Sequence, residues 1–158
     1  MSNIEKNDYD FICCSHVIEH TPYTIKSIKN VYEHLKFGGE FVMAIPHMDY
    51  TFDQYRELTS LNHFIKDYQQ PEKIDNLIHL IEYTEKATNK YQGHDVDITG
   101  ICKSYLSGVD HDIHWHTFTE KNFFELITWF NENVYKWNCV EIYQRFEGSI
   151  EFFVRLVK

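Results

Sequence analysis

Apolar residues follow two rhythms along this chain, and the changes from one to the other outline its elements. Residues 11–15 (FICCS) form a short apolar run between a polar, acidic lead-in and His16, the length of a buried strand. From residue 24 to 35 the apolar positions Ile25, Ile28, Val31, Tyr32 and Leu35 recur every three or four residues, one face of a helix introduced by Thr21-Pro22. The Gly38-Gly39 pair is expected to end that helix, and residues 41–45, stopped by Pro46, form a second apolar strand. Two strands joined by a helix of this length predict a right-handed crossover with parallel neighbours.

Beyond Pro46 the rhythm weakens. Residues 52–64 carry a faint helical signal, and residues 72–88 a clearer one through Ile74, Leu77, Ile78 and Ile81, with Pro71 at its start. Residues 89–115, punctuated by Gly93, Gly100 and Gly108, read as a long loop. Helical order returns at residues 116–131, capped by Thr117 (with Glu120 as capping-box partner) or by Thr119, and buried through Phe123, Phe124, Leu126, Ile127 and Phe130. Residues 138–146 and 149–157 read as strands joined at Glu147-Gly148, hence an antiparallel hairpin.

Composition narrows the picture. A length of 158 residues suits one domain, and 12 Phe, 11 Tyr and 3 Trp point to a core or binding surface built from flat rings. The net charge of -9 argues against nucleic acid as a partner. No apolar run approaches a bilayer span and the lead-in has no apolar signal core, so no membrane is expected and the cytoplasm is the expected location. Cys13, Cys14, Cys102 and Cys139 show no CxxC spacing and are expected to be reduced, buried packing residues.

The order strand, helix, strand, insertion, helix, hairpin, with the sequences YDFICCSHVIEHTPY, NVYEHLKFGGEFVMAIP and HWHTFTEKNFFELI, resembles the C-terminal half of a class I S-adenosylmethionine-dependent methyltransferase. That family's fourth strand ends in a motif similar to Ser15-His16-Val17-Ile18-Glu19-His20. Its fifth follows a Leu-Lys-Pro-Gly-Gly turn, here Leu35-Lys36-Phe37-Gly38-Gly39. Residues 52–59 (FDQYRELT) with His63 are similar to a subset met among enzymes of polysaccharide and nucleotide-sugar metabolism.

The resemblance implies an α/β fold, a partial Rossmann-like sheet, in a single domain over residues 1–158 with residues 47–116 as a substrate-side cap. It implies S-adenosylmethionine as cofactor. The glycine-rich turn and ribose-binding acid of the family are expected ahead of Tyr9, where eight residues stand, and none of the six glycines follows a strand in a GxGxxG arrangement. The expectation is therefore a truncated methyltransferase-like protein, inactive alone or the second half of a split enzyme. The alternatives are an active small-molecule or sugar methyltransferase completed by dimerisation or a partner chain, and a metal-binding protein using the His-rich loop. In the whole fold the fourth strand pairs with the first. Residues 11–15 should therefore be an apolar edge covered by a second copy, a partner chain or the insertion.

Three constellations carry candidate chemistry. His16 and His20 are candidate catalytic residues and Glu19 a substrate contact, at the strand end where open α/β sheets bind ligands; the alternative is packing at a helix start. Asp53 and Arg56, near Thr59, form either a helix-surface pair or a grip for an anionic sugar. Asp110, His111, Asp112, His114 and His116, joined by His63, Asp67 and His47, suit a transition metal by donor type. The favoured reading is a substrate pocket using His63, His114 and His116, or histidines and acids bonded to one another, with alternation putting Asp110, Asp112, His114 and His116 on one side.

Overall fold

A computed structural model describes residues 8–70 and 76–158. The chain is α/β, with a mixed, open, four-stranded sheet. Strand β1 (Tyr9–Ser15) leads through a 3₁₀ turn (Ile18–His20) into α1 (Thr24–His34) and then β2 (Leu35–Pro46). The cap region contains two 3₁₀ turns (Met48–Tyr50 and Phe52–Tyr55), then α2 (Leu61–Gln69), α3 (Asn76–Tyr83) with a π-helical continuation (Thr84–Tyr91), and α4 (Ile98–Leu106). Helix α5 (Glu120–Asn133), β3 (Cys139–Tyr143) and β4 (Glu151–Val157) complete it. The sheet order is β1-β2-β4-β3; β1 and β2 are parallel, and β4 runs antiparallel to both of its neighbours.

One face of the sheet is packed. Phe41, Met43 and Ile45 of β2 and Phe152, Val154 and Leu156 of β4 alternate inward, onto Ile25 and Ile28 of α1 and Phe123, Leu126, Ile127 and Phe130 of α5. The intervening residues Val42, Ala44, Phe153 and Arg155 are only half-buried, and Arg155 pairs across the strands with Glu40 and Glu141. Parallel strands usually have both faces covered. Here the second face is left with a partial cover.

Several expectations change. The first strand is a sheet edge, as the resemblance implies, but not a buried one: among the described residues it hydrogen-bonds to β2 alone, and Phe11 is 54% exposed. The cysteines are free, but Cys13 is exposed on that edge and the other three are half-buried. The glycine pair does not end α1, which closes at Leu35 in extended conformation. Gly38 (φ 80°) and Gly39 instead form a bulge inside β2, where Tyr9 and Phe11 face Leu35 and Glu40. A Cβ on Gly39 would lie 2.9 Å from Lys36 O and 3.1 Å from Tyr9 O, so only glycine fits there.

The long loop holds a helix, α4, capped by the Asp97 side chain on Thr99 N and closed by Gly108 at φ 93°. Gly100 in its first turn disguised it. The residue 52–64 signal resolves into a 3₁₀ turn and the start of α2, and Pro71 and Ile74 lie outside the described residues. Thr119, not Thr117, caps α5, with Asn122 closing the capping box, and Phe124 faces solvent. The terminal pair is antiparallel as expected, joined by a seven-residue link, residues 144–150, with Gly148 at φ 84°.

Candidate functional site

Chain segments far apart in sequence meet at the carboxyl ends of β1 and β2. Just after β1, His16 takes φ 52°, unusual for a residue with a Cβ, and turns the chain into the Ile18–His20 turn. His16 Nε2 donates to Glu151 Oε2 (2.7 Å) at the start of β4. The residues ahead of α5 lie against this turn, with Trp115 N donating to Glu19 O (2.7 Å).

Glu19 sits at the centre, 0% exposed, and neither carboxylate oxygen has a hydrogen-bond partner among the described residues. Its Oε1 is 3.8 Å from His16 Nδ1, 3.8 Å from His20 Nε2 and 4.0 Å from His114 Nε2. Burial raises its pKa above the usual carboxylate range, against the pull of its own backbone and of the three imidazoles.

Behind His114 is a buried ion-pair chain. His114 Nδ1 donates to Asp53 Oδ2 (2.6 Å), and Arg56 Nη1 donates to Asp53 Oδ1 (2.9 Å) and to His114 O (2.8 Å). Arg56 Nε donates to Glu82 Oε2 (2.7 Å). These donors of Arg56 latch the Phe52–Tyr55 turn and α3 onto the residue 110–116 segment, and Arg56 also stands in the wall of a cavity. Asp53 is a clamp on both Arg56 and His114.

A second cluster lies towards α2. His116 Nε2 donates to Asp67 Oδ2 (3.0 Å), His63 Nε2 lies 3.2 Å from the same oxygen, and His116 Nδ1 is 3.1 Å from Thr24 Oγ1. Burial pushes Asp67 up, but its bond from His116 and the approach of His63 outweigh that and hold it down at about 2. Burial pushes His79, beside His63 and His116, down to about 4, and pushes the fully buried His116 down as well. Both rings are neutral near neutral pH.

The residue 110–116 cluster therefore does not converge on one point. His114 belongs to the Glu19 group and His116 to the Asp67 group. Successive N–H groups of Trp115 and His116 both reach Glu19 O (2.7 and 3.4 Å), whereas in an extended strand they point opposite ways, so the expected alternation is broken. His111 bonds Ser104 (2.7 Å), Asp110 is exposed, and Asp112, 89% exposed, lies 2.7 Å from His20 Nδ1 at an angle unsuited to a hydrogen bond. His47 is elsewhere, 3.1 Å from Glu120 Oε2.

A cavity of about 330 Å³ adjoins the Arg56–Glu82 pair and the His63 side of the second cluster, lined by Arg56, Thr59, His63, His79, Glu82 and Trp115 among others. Its far wall is pinned to α5: Thr59 and Thr117 exchange backbone-to-hydroxyl bonds (2.9 Å each), and Asn122 Nδ2 donates to the Thr59 and Thr117 carbonyls (3.0 Å each). Sequence reasoning missed Glu151, His79, Glu82 and Thr24. The one sequence signal for His79 and Glu82 is their spacing of three along a predicted helix, which puts two ionisable groups on neighbouring turns of one side.

Compared with known proteins, the chain matches no protein-family model and no curated protein sequence.

Proposed function

We propose that this chain forms the acceptor side of a class I, Rossmann-like methyltransferase fold and receives a small polar molecule, such as a sugar derivative, beside the strand ends. The observation that carries this reading is a convergence. The His16–His20 turn, residues 52–59 and residues 114–119, which carry part of the resemblance, meet at the carboxyl ends of the parallel strand pair, the end at which open α/β sheets bind ligands. The order of elements supports the same reading, and the adjoining cavity, with Trp115 and the His63, His79 and Glu82 side chains in its wall, is in the size range of small-ligand sites.

The residues present do not fit S-adenosylmethionine. A methyl-donor site needs glycine backbone brought close to the ligand. Gly38, Gly93, Gly108 and Gly148 have open space where a Cβ would be and line no cradle, Gly39 packs on the backbone of its own sheet, and Gly100 packs on Asp97. No step of methyl transfer is assigned to this chain alone. Calorimetry of the purified chain with S-adenosylmethionine is expected to show no binding at micromolar strength, and micromolar binding would overturn this reading in favour of a complete enzyme.

Completion of the site by more polypeptide would use the outer edge of β1, where Tyr9 and Phe11 are exposed and, with Ile12, Val31 and His34, line an apolar groove beside α1. Cap residues Trp115 and His116 bond instead to Glu19 and Thr24. In the absence of a partner chain, a second copy is expected to pair there. Sedimentation should find the purified chain self-associated and a Phe11→Lys variant monomeric, whereas a monomeric wild type would rule out the second copy.

A further inference from the structure

We propose that Glu19, His20 and His114, with His16 as a fourth donor, form a site for a divalent transition-metal ion of the zinc class. The first ground is the state of Glu19. An ionisable side chain taken wholly out of water is normally paired or bonded to a metal, yet both oxygens of Glu19 lack a hydrogen bond among the described residues. Three imidazole nitrogens surround it, each standing off at 3.8–4.0 Å. That is too long for a hydrogen bond and short enough for one atom to sit between them.

The second ground is the outward side of each ring. A carboxylate takes a hydrogen bond from the outer nitrogen of two of them, Glu151 from His16 (2.7 Å) and Asp53 from His114 (2.6 Å), while Asp112 lies 2.7 Å from His20 Nδ1 without one. A carboxylate only accepts, so it draws the ring proton to its own side and leaves the inner nitrogen as a bare lone pair. The inner nitrogens of His16 and His114 thus face the Glu19 carboxylate as acceptors, an arrangement that a bound cation would satisfy. A carboxylate behind each ligating histidine is also the usual outer support of metal-bound imidazole.

The geometry is that of an open site. The donor atoms of Glu19, His20 and His114 all lie within 4.8 Å of one another. A tetrahedral ion with bonds of about 2.0–2.1 Å holds its donors about 3.3–3.4 Å apart, so on loading the imidazoles close on Glu19 by about half an ångström and on one another by up to about 1.5 Å. His16 and His20 are about one-third exposed (35% and 31%), which leaves a path from solvent. Three imidazoles and one carboxylate suit zinc and its neighbours rather than calcium or magnesium. The His63–Asp67–His116 cluster differs in kind, since its carboxylate is already approached by imidazole at 3.0–3.2 Å. The inference stands on this geometry alone, whatever part the chain takes in methyl transfer.

The test uses the tag-free chain, stripped with a chelator and titrated with Zn²⁺ by calorimetry, with Co²⁺ absorption as a second readout. One ion per chain is expected, at micromolar strength or tighter, with a rise in Tm and the visible bands of four-coordinate Co²⁺. Glu19→Gln keeps the shape while removing an unpaired buried carboxylate. Its metal-free Tm should equal or exceed that of the wild type, while zinc binds at least about 100-fold more weakly and no longer raises Tm. His20→Gln should weaken binding similarly, and His63→Gln should leave it unchanged. The proposal is overturned if the wild type binds no stoichiometric zinc, if Glu19→Gln binds as the wild type does, or if His63→Gln alone abolishes binding.

Discussion

Arg56→Ala is expected to destabilise the chain by about 3–5 kcal/mol, the range for removing one partner of a buried ion pair. Arg56 is buried, and its guanidinium joins Asp53, Glu82 and the His114 carbonyl while lying over the Tyr83 ring at 5.4 Å. Truncation leaves two carboxylates and a carbonyl facing a void, and burial already raises the Glu82 carboxyl above its ordinary value. Arg56→Lys restores the charge but not the fork that reaches Asp53, Glu82 and His114 together, so it should recover only part of the loss. Urea unfolding midpoints measure both variants. A loss below about 1 kcal/mol for Arg56→Ala would mean that this latch has the small worth of a solvated surface pair.

The second large effect is acid lability centred on His79. Its folded-state pKa is about 4 against an ordinary 6.5, so between those values the unfolded chain binds a proton that the folded chain refuses. Stability is complete above pH 6.5 and falls as the pH drops towards 4. His79 is half-buried, and with solvent screening allowed for, the loss is on the order of 2 kcal/mol. His116, also pushed down by burial, adds to the fall in the same direction. Asp67 acts lower still, its contribution being lost as the pH falls from 3.8 towards about 2. A His79→Gln variant should show a shallower slope of unfolding midpoint against pH between 7 and about 4.5. An unchanged slope would place the titration elsewhere.

Neither effect was legible as such in the chain. The strand–helix–strand opening was, because the apolar residues of α1 repeat every three or four positions between the short apolar runs of β1 and β2. Period is a local property. The glycine signals were legible but ambiguous: Gly38-Gly39 has the composition of a helix stop and is a strand bulge, and Gly108 has the look of loop punctuation and is a helix stop. A glycine reports that the backbone needs freedom at a point, not what stands on either side of it.

The candidate site divides in the same way. His16, Glu19 and His20 could be singled out because they stand at the carboxyl end of a predicted strand, where open α/β sheets bind ligands, and Glu19 is the buried carboxylate. The partners could not. His114 and Asp53 are 61 residues apart, and His116 and Thr24 are 92 apart. His114 and His116 are two residues apart in sequence and belong to different clusters.

From the sequence alone, then, came the α/β class, the crossover, the antiparallel terminal pair, and the concentration of histidine and acid residues near the strand end and in the cap. These rest on periodicity and turn chemistry, which act over a few residues and are written locally. Only the tertiary structure decided that Glu19 is buried with three imidazoles around it and that the donors of Arg56 tie distant segments together. Each depends on which distant side chains share a low-dielectric space, and burial and charge pairing are set by the assembled fold rather than by any one stretch of chain.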